Sequence, residues 1–458
     1  MADHSVTVEN TLQALLSDKK YTTIRDILVT MNPADIAAVF SGVEPDKLPL
    51  LFRLLPKELA AESFVEMESE EQEQLIKGIS DKELRQVMDE LYVDDAVDIV
   101  EEMPANVVQR ILAQADPEMR KEINEILQYP EDSAGSVMTT EYVKLTPDMT
   151  VGDAILRIRR TGVDKETIYT CYVLKNRLLV GTVSVKSLLL APSDLQTIDS
   201  IMDTNLITVT THTDQEEVAQ MMSKYNLLAI PVVDGDNRMV GIVTFDDAMD
   251  VVEEETTEDM EIMAGMTPSD KTYLKSSPLD LFIHRIPWLS LLMISATFTG
   301  MIISHFEKAL ASMTCLAAFI PMLMDTGGNS GSQSSVTVIR ALSLGELEFS
   351  DLCKVIWKEV RTALICGAVL SVLCVGKVLL IDRLMMGNED VSVMVAVVVG
   401  LTLAVTVLCA KLVGCTLPML AKKLGFDPAV MASPFITTIV DALSLLVYFG
   451  IATSLLKL

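Results

Sequence analysis

Residues 434–456, PFITTIVDALSLLVYFGIATSLL, carry a single charged side chain, Asp441. A lone carboxylate in a run long enough to cross a bilayer costs about 2.5–3.5 kcal/mol on insertion scales, so it must face water, a cation or a buried base. The cation reading makes Asp441 a pore ligand, helped by Thr437 and Thr438 one turn away. The alternative is a salt bridge to Lys411 or Lys377, which sit near the ends of other apolar runs. Upstream, GFDPAVMASP (425–434) places Asp427 before Pro428, a pattern expected to cap the start of this span at a cytoplasmic mouth, with Ser433 beside it. A polar stretch, DTGGNSGSQSS (325–335), interrupts another apolar run. It is expected to break that span and to be buried in protein or line water, with Gly328, Asn329 and Gly331 on the path.

A third concentration of charge reads DDAMDVVEEETTEDME (246–261), in which nine of sixteen residues are acidic. On a helix, Asp247, Asp250, Glu254, Glu258 and Glu261 share one face, and Met249, Val252, Met260 and Met263 the other. Like charges at that spacing oppose helix formation, so bound cations are the expected compensation, with a solvated linker as the bland alternative. Hard cations take oxygen ligands of this kind. Other chemistries lack their residues. The four histidines (His4, His212, His284, His305) are far apart, and the seven cysteines form no C-x-x-C. No nucleophile–base pair, phosphate loop or hydrolase motif is present, so an enzyme is not expected.

The elements that must hold these residues divide the chain in two. Residues 1–275 hold 24 Lys and Arg against 52 Asp and Glu, whereas residues 276–458 hold 12 of each. An acidic soluble part is therefore joined to a neutral apolar part. The acidic part repels nucleic acid and anionic headgroups and attracts cations. The first residues show no basic region followed by an apolar core, so no signal peptide is expected and the acidic part should be cytoplasmic.

Residues 10–130 read as short helices with an internal repeat of about 24 residues: EPDKLPLLFRLLP (44–56), ESEEQEQLIKGIS (68–80) and YVDDAVDIVEEMP (92–104). Units this small must stack to bury an apolar face, which predicts an all-α solenoid, with a generic helical bundle as the alternative. Residues 137–252 alternate β-branched runs with helical stretches, in two halves that each end strand–turn–strand–helix. Five apolar stretches follow, near 286–305, 313–338, 362–381, 391–418 and 434–456. Arg340, Lys354, Lys358 and Arg361 after the second, and Lys422 and Lys423 after the fourth, place those loops inside and the C-terminus outside.

The two β-rich halves look like a tandem pair of CBS domains, modules that often bind adenine nucleotides. In such modules an acid three residues after a Ser or Thr commonly takes the ribose hydroxyls. Thr244 and Asp247 supply this in the second half, but the first half has Ser187 at the acidic position, so at most one ATP-like ligand per chain is expected. A purely structural, dimerising role is the alternative. Beyond this, YPEDSAGSVMTTEYV, TFDDAMDVVEEETTEDM, DTGGNSGSQSSVTVIRALSLGE and DPAVMASPFITTIVDALSLLVYF resemble the MgtE family of magnesium channels and transporters, over nearly the whole chain and in the family's order.

That resemblance implies a multidomain membrane protein. Its parts would be a helical-repeat N domain (1–130), tandem CBS domains (131–250), a connecting plug helix (251–280) and a five-span membrane domain (281–458). It implies a homodimer in the cell membrane with the pore on the two-fold axis, Asp441 as pore carboxylate and Asp427 as mouth carboxylate. Asp247, Asp250, Glu255, Glu258 and Asp259 match the magnesium-sensing surface; Asp94, Asp95 and Asp98 match acidic positions on the N domain, and Glu216 and Asp246 join the candidate metal ligands. Ser444 stands where the family has Gly, and Ala432-Ser433-Pro434 where it often has Ser-Gly-Pro, which bears on pore width. The expected function is Mg2+ uptake closed by cytoplasmic Mg2+. The alternatives are a membrane-anchored nucleotide sensor without transport, and transport of another divalent cation such as Co2+.

Overall fold

The computed structural model describes residues 11–456 apart from residue 13, residues 270–272 and residue 275; the side chains of 164 and 433 are also outside the description. It separates into two compact units, residues 1–252 and 253–458.

In the first unit, short helices follow one another from Tyr21: α1 (Tyr21–Leu28), α2 (Pro33–Ser41), α3 (Leu48–Phe52), α4 (Lys57–Val65), α5 (Ser69–Gly78), α6 (Asp81–Met88), α7 (Val93–Glu102), α8 (Ala105–Gln114) and α9 (Pro117–Ile126). The repeat is a helix pair. The three repeated segments become α3, α5 and α7, and the segments after them become α4, α6 and α8. Helices α4, α6 and α8 pack in sequence along one row, while α5 packs on α3 and α9 on α7 along the other. Starts are set locally: Ser80 and Glu83 form a reciprocal capping box on α6, and Asp116 caps α9 ahead of Pro117. Each helix is too short to be stable alone; Phe40, Leu51, Phe64, Leu75 and Ile111, all essentially inaccessible, supply the burial that holds the stack.

The two β-rich halves follow. The first is β1 (Tyr142–Leu145), α10 (Val151–Thr161), β2 (Thr167–Lys175), β3 (Leu178–Ser184) and α11 (Val185–Leu189). The second is β4 (Val209–Thr210), α12 (Gln215–Tyr225), β5 (Ala229–Val233), β6 (Met239–Thr244) and α13 (Phe245–Met263). Each sheet has three strands in sequence order, the first pair parallel and the second antiparallel. The helical repeats and the second half share one core, in which Val97 and Ile99 join a cluster with Val218, Ile230, Val243 and Val251.

α13, of 19 residues, begins before the connecting helix expected over 251–280 and ends at Met263. It starts at the end of β6, and the division between the units falls inside it. The apolar face assigned to it is only partly used. Met249, Val252 and Met260 are exposed, while Ala248, Val251 and, at its far end, Ile262 and Met263 make the packing contacts.

The second unit contains α14 (Pro278–His305), α15 (Glu307–Ser312), α16 (Ile320–Ser343), α17 (Leu352–Lys377), α18 (Val393–Lys423) and α19 (Ser433–Leu456). Among the described residues, four helical segments, 278–305, 349–385, 393–423 and 428–456, are long and apolar enough to cross a membrane. The remaining expected stretch, 313–338, falls largely on α16, which does not meet that measure. The glycine-rich segment inside it is also not a break: α16 runs unbroken for 24 residues. Its Gly and Ser residues let neighbouring helices approach. Gly327, Gly328, Gly331, Ser330, Ser334 and Ser335 are all buried, and a Cβ on Gly414 of α18 would lie 2.2 Å from the Gly331 carbonyl oxygen.

Candidate cation sites

In the second unit, α16 and α19 bring the polar membrane residues together. Asp441 is half-buried on α19, and its charged neighbour is Asp325 of α16, which the sequence reading passed over. Asp325 is exposed and accepts a hydrogen bond from Asn329 Nδ2 at 3.2 Å, which puts Asn329 beside the pair. Gly328 packs on Thr437, and Gly331 on Ile436 and Val440, so these glycines face α19 rather than open space. Thr437 and Thr438 donate their hydroxyls to the Pro434 carbonyl at 2.9 and 3.0 Å, keeping oxygen lone pairs to accept from water. The expectation for Ser433 falls on a side chain outside the described residues.

Neither lysine proposed as a structural partner reaches Asp441. Lys377 is paired with Asp382 at 2.8 Å. Lys411 is enclosed among α16, α17 and α18, 3.8 Å from Glu359 and 3.2 Å from Ser334 Oγ, and Ser334 donates to Glu359 at 2.6 Å. This buried Ser334–Glu359–Lys411 network was not visible in the sequence, where Glu359 reads as one charge among several in KVIWKEVR.

At the other end of the same helices, Asp427 accepts the Ala429 N–H at 2.7 Å. It caps the single turn Pro428–Met431; α19 begins later, at Ser433, because Ala432 is extended. Ser335 donates to the Met431 carbonyl at 2.9 Å, tying α16 to this turn. The end of α13 packs here: Ile262 and Met263 touch Ile339, Ala429 and Ala432, and Ser343 Oγ lies 3.2 Å from Asp259. Burial, and then the nearby Asp427 charge, raise the Asp259 carboxyl above its ordinary value. Glu255 and Glu258 lie on the same helix, in its second-unit stretch.

In the first unit, the head of α7 meets the start of α13. Asp94 is 5% exposed, and burial, followed by the Asp247 charge, pushes its carboxyl well up. The same two causes raise Asp95 to about 6 and Asp98 to about 8. Asp247 is raised to about 6, chiefly by burial. Glu166, at the start of β2, joins them from the first β-rich half; burial and the charges of Asp246, Asp95 and Asp247 raise it to about 8. Its Oε2 is buried without a hydrogen-bond partner. Asp246 and Asp250 flank the cluster as exposed residues. Glu216 stands apart, in the first turn of α12 beside the capping Asp214. A cluster of carboxylates that burial and mutual repulsion make reluctant to ionise fits a cation between them. Among the described residues, no three His, Cys, Asp or Glu form a ready-made metal-ligand set.

The two candidate nucleotide motifs lie in different surroundings. Buried Thr244 donates its hydroxyl to half-buried Asp247, which faces the α7 acids. The open cavity, about 500 Å3, lies between the two halves and is lined by Ser184 and Ser187 of the first, Leu228 and Pro231 of the second, and Asp203 between them.

Known proteins match this layout. Residues 320–451 match the MgtE family of divalent cation transporters, 31–132 the MgtE intracellular N domain, and 134–194 and 198–254 the CBS domain. The magnesium transporter MgtE of Thermus thermophilus is 36% identical over 451 residues, covering 97% of this chain and 98% of that protein. Its counterpart in Bacillus subtilis is 33% identical, covering 96% and 95%. Among solved structures, the cytosolic domain of the Mg2+ channel MgtE in complex with ATP is 35% identical with a TM-score of 0.51, covering 53% of this chain and 99% of that one. The soluble part of a magnesium transporter is 28% identical with the same TM-score, covering 55% and 99%.

Proposed function

The chain belongs to the MgtE family of magnesium transporters, and from that premise we propose that it is a homodimeric, five-span Mg2+ channel, closed by Mg2+ on its cytoplasmic side. The observation that carries the pore reading is the placement of Asp441. It has another carboxylate for a neighbour, while the lysines that could have neutralised it are engaged elsewhere. Two copies on a dimer axis supply about −2 from Asp441 alone. Mg2+ keeps several waters, so the pair holds it through its hydration shell, with Thr437, Thr438 and Asn329 accepting or donating to those waters. That favours Mg2+ over the larger, looser shell of Ca2+. In this reading α16 is the fifth span, shielded from lipid by its neighbours; the acidic N-terminal domains lie inside the cell and the C-terminus outside.

Closure follows from the cytosolic acids. Two carboxylates about 5 Å apart repel by about 3 kcal/mol at an effective dielectric of 20. The α7 acids and Asp247 therefore push apart when no cation is present, and Mg2+ favours the packed arrangement. Asp250, Glu255, Glu258 and Asp259 extend the sensor along α13 towards its end near Asp427. ATP is proposed to bind in the Ser184–Ser187 cavity, once per chain. Mg2+ uptake into liposomes carrying only the purified protein tests the whole reading. The dye-reported flux should be lost in Asp441→Asn, and the wild-type flux should fall when Mg2+ is added on the cytoplasmic side. No flux from wild type points to a membrane-anchored nucleotide sensor, and flux of Co2+ in preference to Mg2+ to a different cargo.

A further inference from the structure

We propose that the cavity between the two β-rich halves is a nucleoside site that reads base and sugar and gives no purchase to phosphates. This rests on the nucleotide reading above and narrows its ligand class. The volume, about 500 Å3, suits a small organic ligand. Ile201, Leu206 and Leu228 provide apolar surface for a flat base. Thr170, Ser184 and Asn226 add neutral polar groups to the lining.

The only charged residue among those lining the cavity is Asp203, and among the described lining residues there is no lysine or arginine. Asp203 is fixed by a pair of backbone hydrogen bonds with Thr182 at 2.8 and 2.9 Å, and its Oδ1 accepts the Asn205 N–H at 2.9 Å. A carboxylate held this way accepts hydrogen bonds from sugar hydroxyls and repels phosphate. It replaces the acid that Ser187 fails to supply; Ser187 instead shares a 2.7 Å hydrogen bond with Ser184. Lys186 and Lys224, the cations nearest the lining in sequence, are exposed, and Lys224 lies over the Tyr225 ring. The phosphates of a bound nucleotide therefore point to solvent, and affinity is set by the nucleoside.

Equilibrium binding of adenosine, AMP and ATP to the purified full-length protein in EDTA tests this, by competition against a fluorescent adenine nucleotide. Adenosine and AMP should bind within about threefold of ATP. Loss of the sugar hydrogen bonds, in 2′-deoxyadenosine or in Asp203→Asn with adenosine, should each weaken binding about tenfold. ATP binding tenfold or more tighter than adenosine overturns the inference, as does adenosine affinity unchanged in Asp203→Asn. ATP binding with no adenosine binding removes this inference and leaves the nucleotide reading intact. Binding of none of the three at millimolar concentration removes both.

Discussion

Substituting Lys411 alone should damage the membrane unit more than substituting it together with its partner. Lys411 is 7% and Glu359 15% exposed, so neither charge is relieved by solvent. At their 3.8 Å separation the attraction is about 4 kcal/mol at an effective dielectric of 20, and Ser334 bridges the two. Lys411→Met leaves Glu359 buried and unpaired, which costs about 3–5 kcal/mol; Glu359→Gln does the same to Lys411. The double variant Lys411→Met/Glu359→Gln leaves no orphan charge and should fall within about 1–2 kcal/mol of wild type. Melting followed by size-exclusion fluorescence in detergent gives the ranking, and Mg2+ uptake should track it, because Ser334 lies on α16 next to Ser335, which holds the mouth turn. If the double variant is as unstable as the worse single variant, the charges act separately and the network reasoning fails.

In the pore, Asp441→Asn and Asp441→Ala should express and insert normally yet abolish Mg2+ uptake, and Asp441→Glu should give partial, less selective flux. Wild-type uptake by Asp441→Asn at equal expression would remove Asp441 from the pore. In EDTA, packing of the α7 acids against Asp247 should depend on pH. Their carboxyls are raised from 3.8 to about 6 for Asp95 and Asp247 and about 8 for Asp98. The unfolded chain therefore ionises first, and packing is strongest near pH 4 and weakens as pH rises towards 8. Protection of α7 in hydrogen exchange should fall over that window without Mg2+ and stay high with it; a pH-independent profile in EDTA would refute this. Gly414→Ala should lose about 1–3 kcal/mol through overpacking against Gly331, read as a lower melting temperature; an unchanged one would mean that the helices separate freely.

Much of this was legible because short-range pattern and long-range packing agreed. The 24-residue repeat became helix pairs, and the strand–turn–strand–helix halves became matching sheets. Disagreement arose where one residue type serves two purposes. Gly and Ser in 325–335 are as compatible with a helix packed at its backbone as with an unwound path, and only the facing Gly414, 83 positions after Gly331, decides. The complete ribose motif at Thr244 and Asp247 meets a related limit. Its acid is taken up by Asp94 and Asp98, about 150 residues earlier, which no local motif can report. Asp325 was overlooked because a carboxylate beside glycines reads as loop composition until α19 is laid against it.

The contact between Gly331 and Gly414 also limits how the membrane helices can move. A joint made of main chain on both sides has no rotamers to exchange, so it cannot absorb a displacement gradually. α16 and α18 therefore behave as one strut, and the mobile parts have to be the segments that flank it. Both helices end at their Asp427-side termini on glycines in left-handed geometry, Gly345 at φ +66° and Gly425 at φ +80°. Those two turns are the places where the backbone can pivot without strain. For the channel proposed above, the expected opening is a swing about these two turns below a fixed strut, and conductance from a single molecule should step between discrete levels.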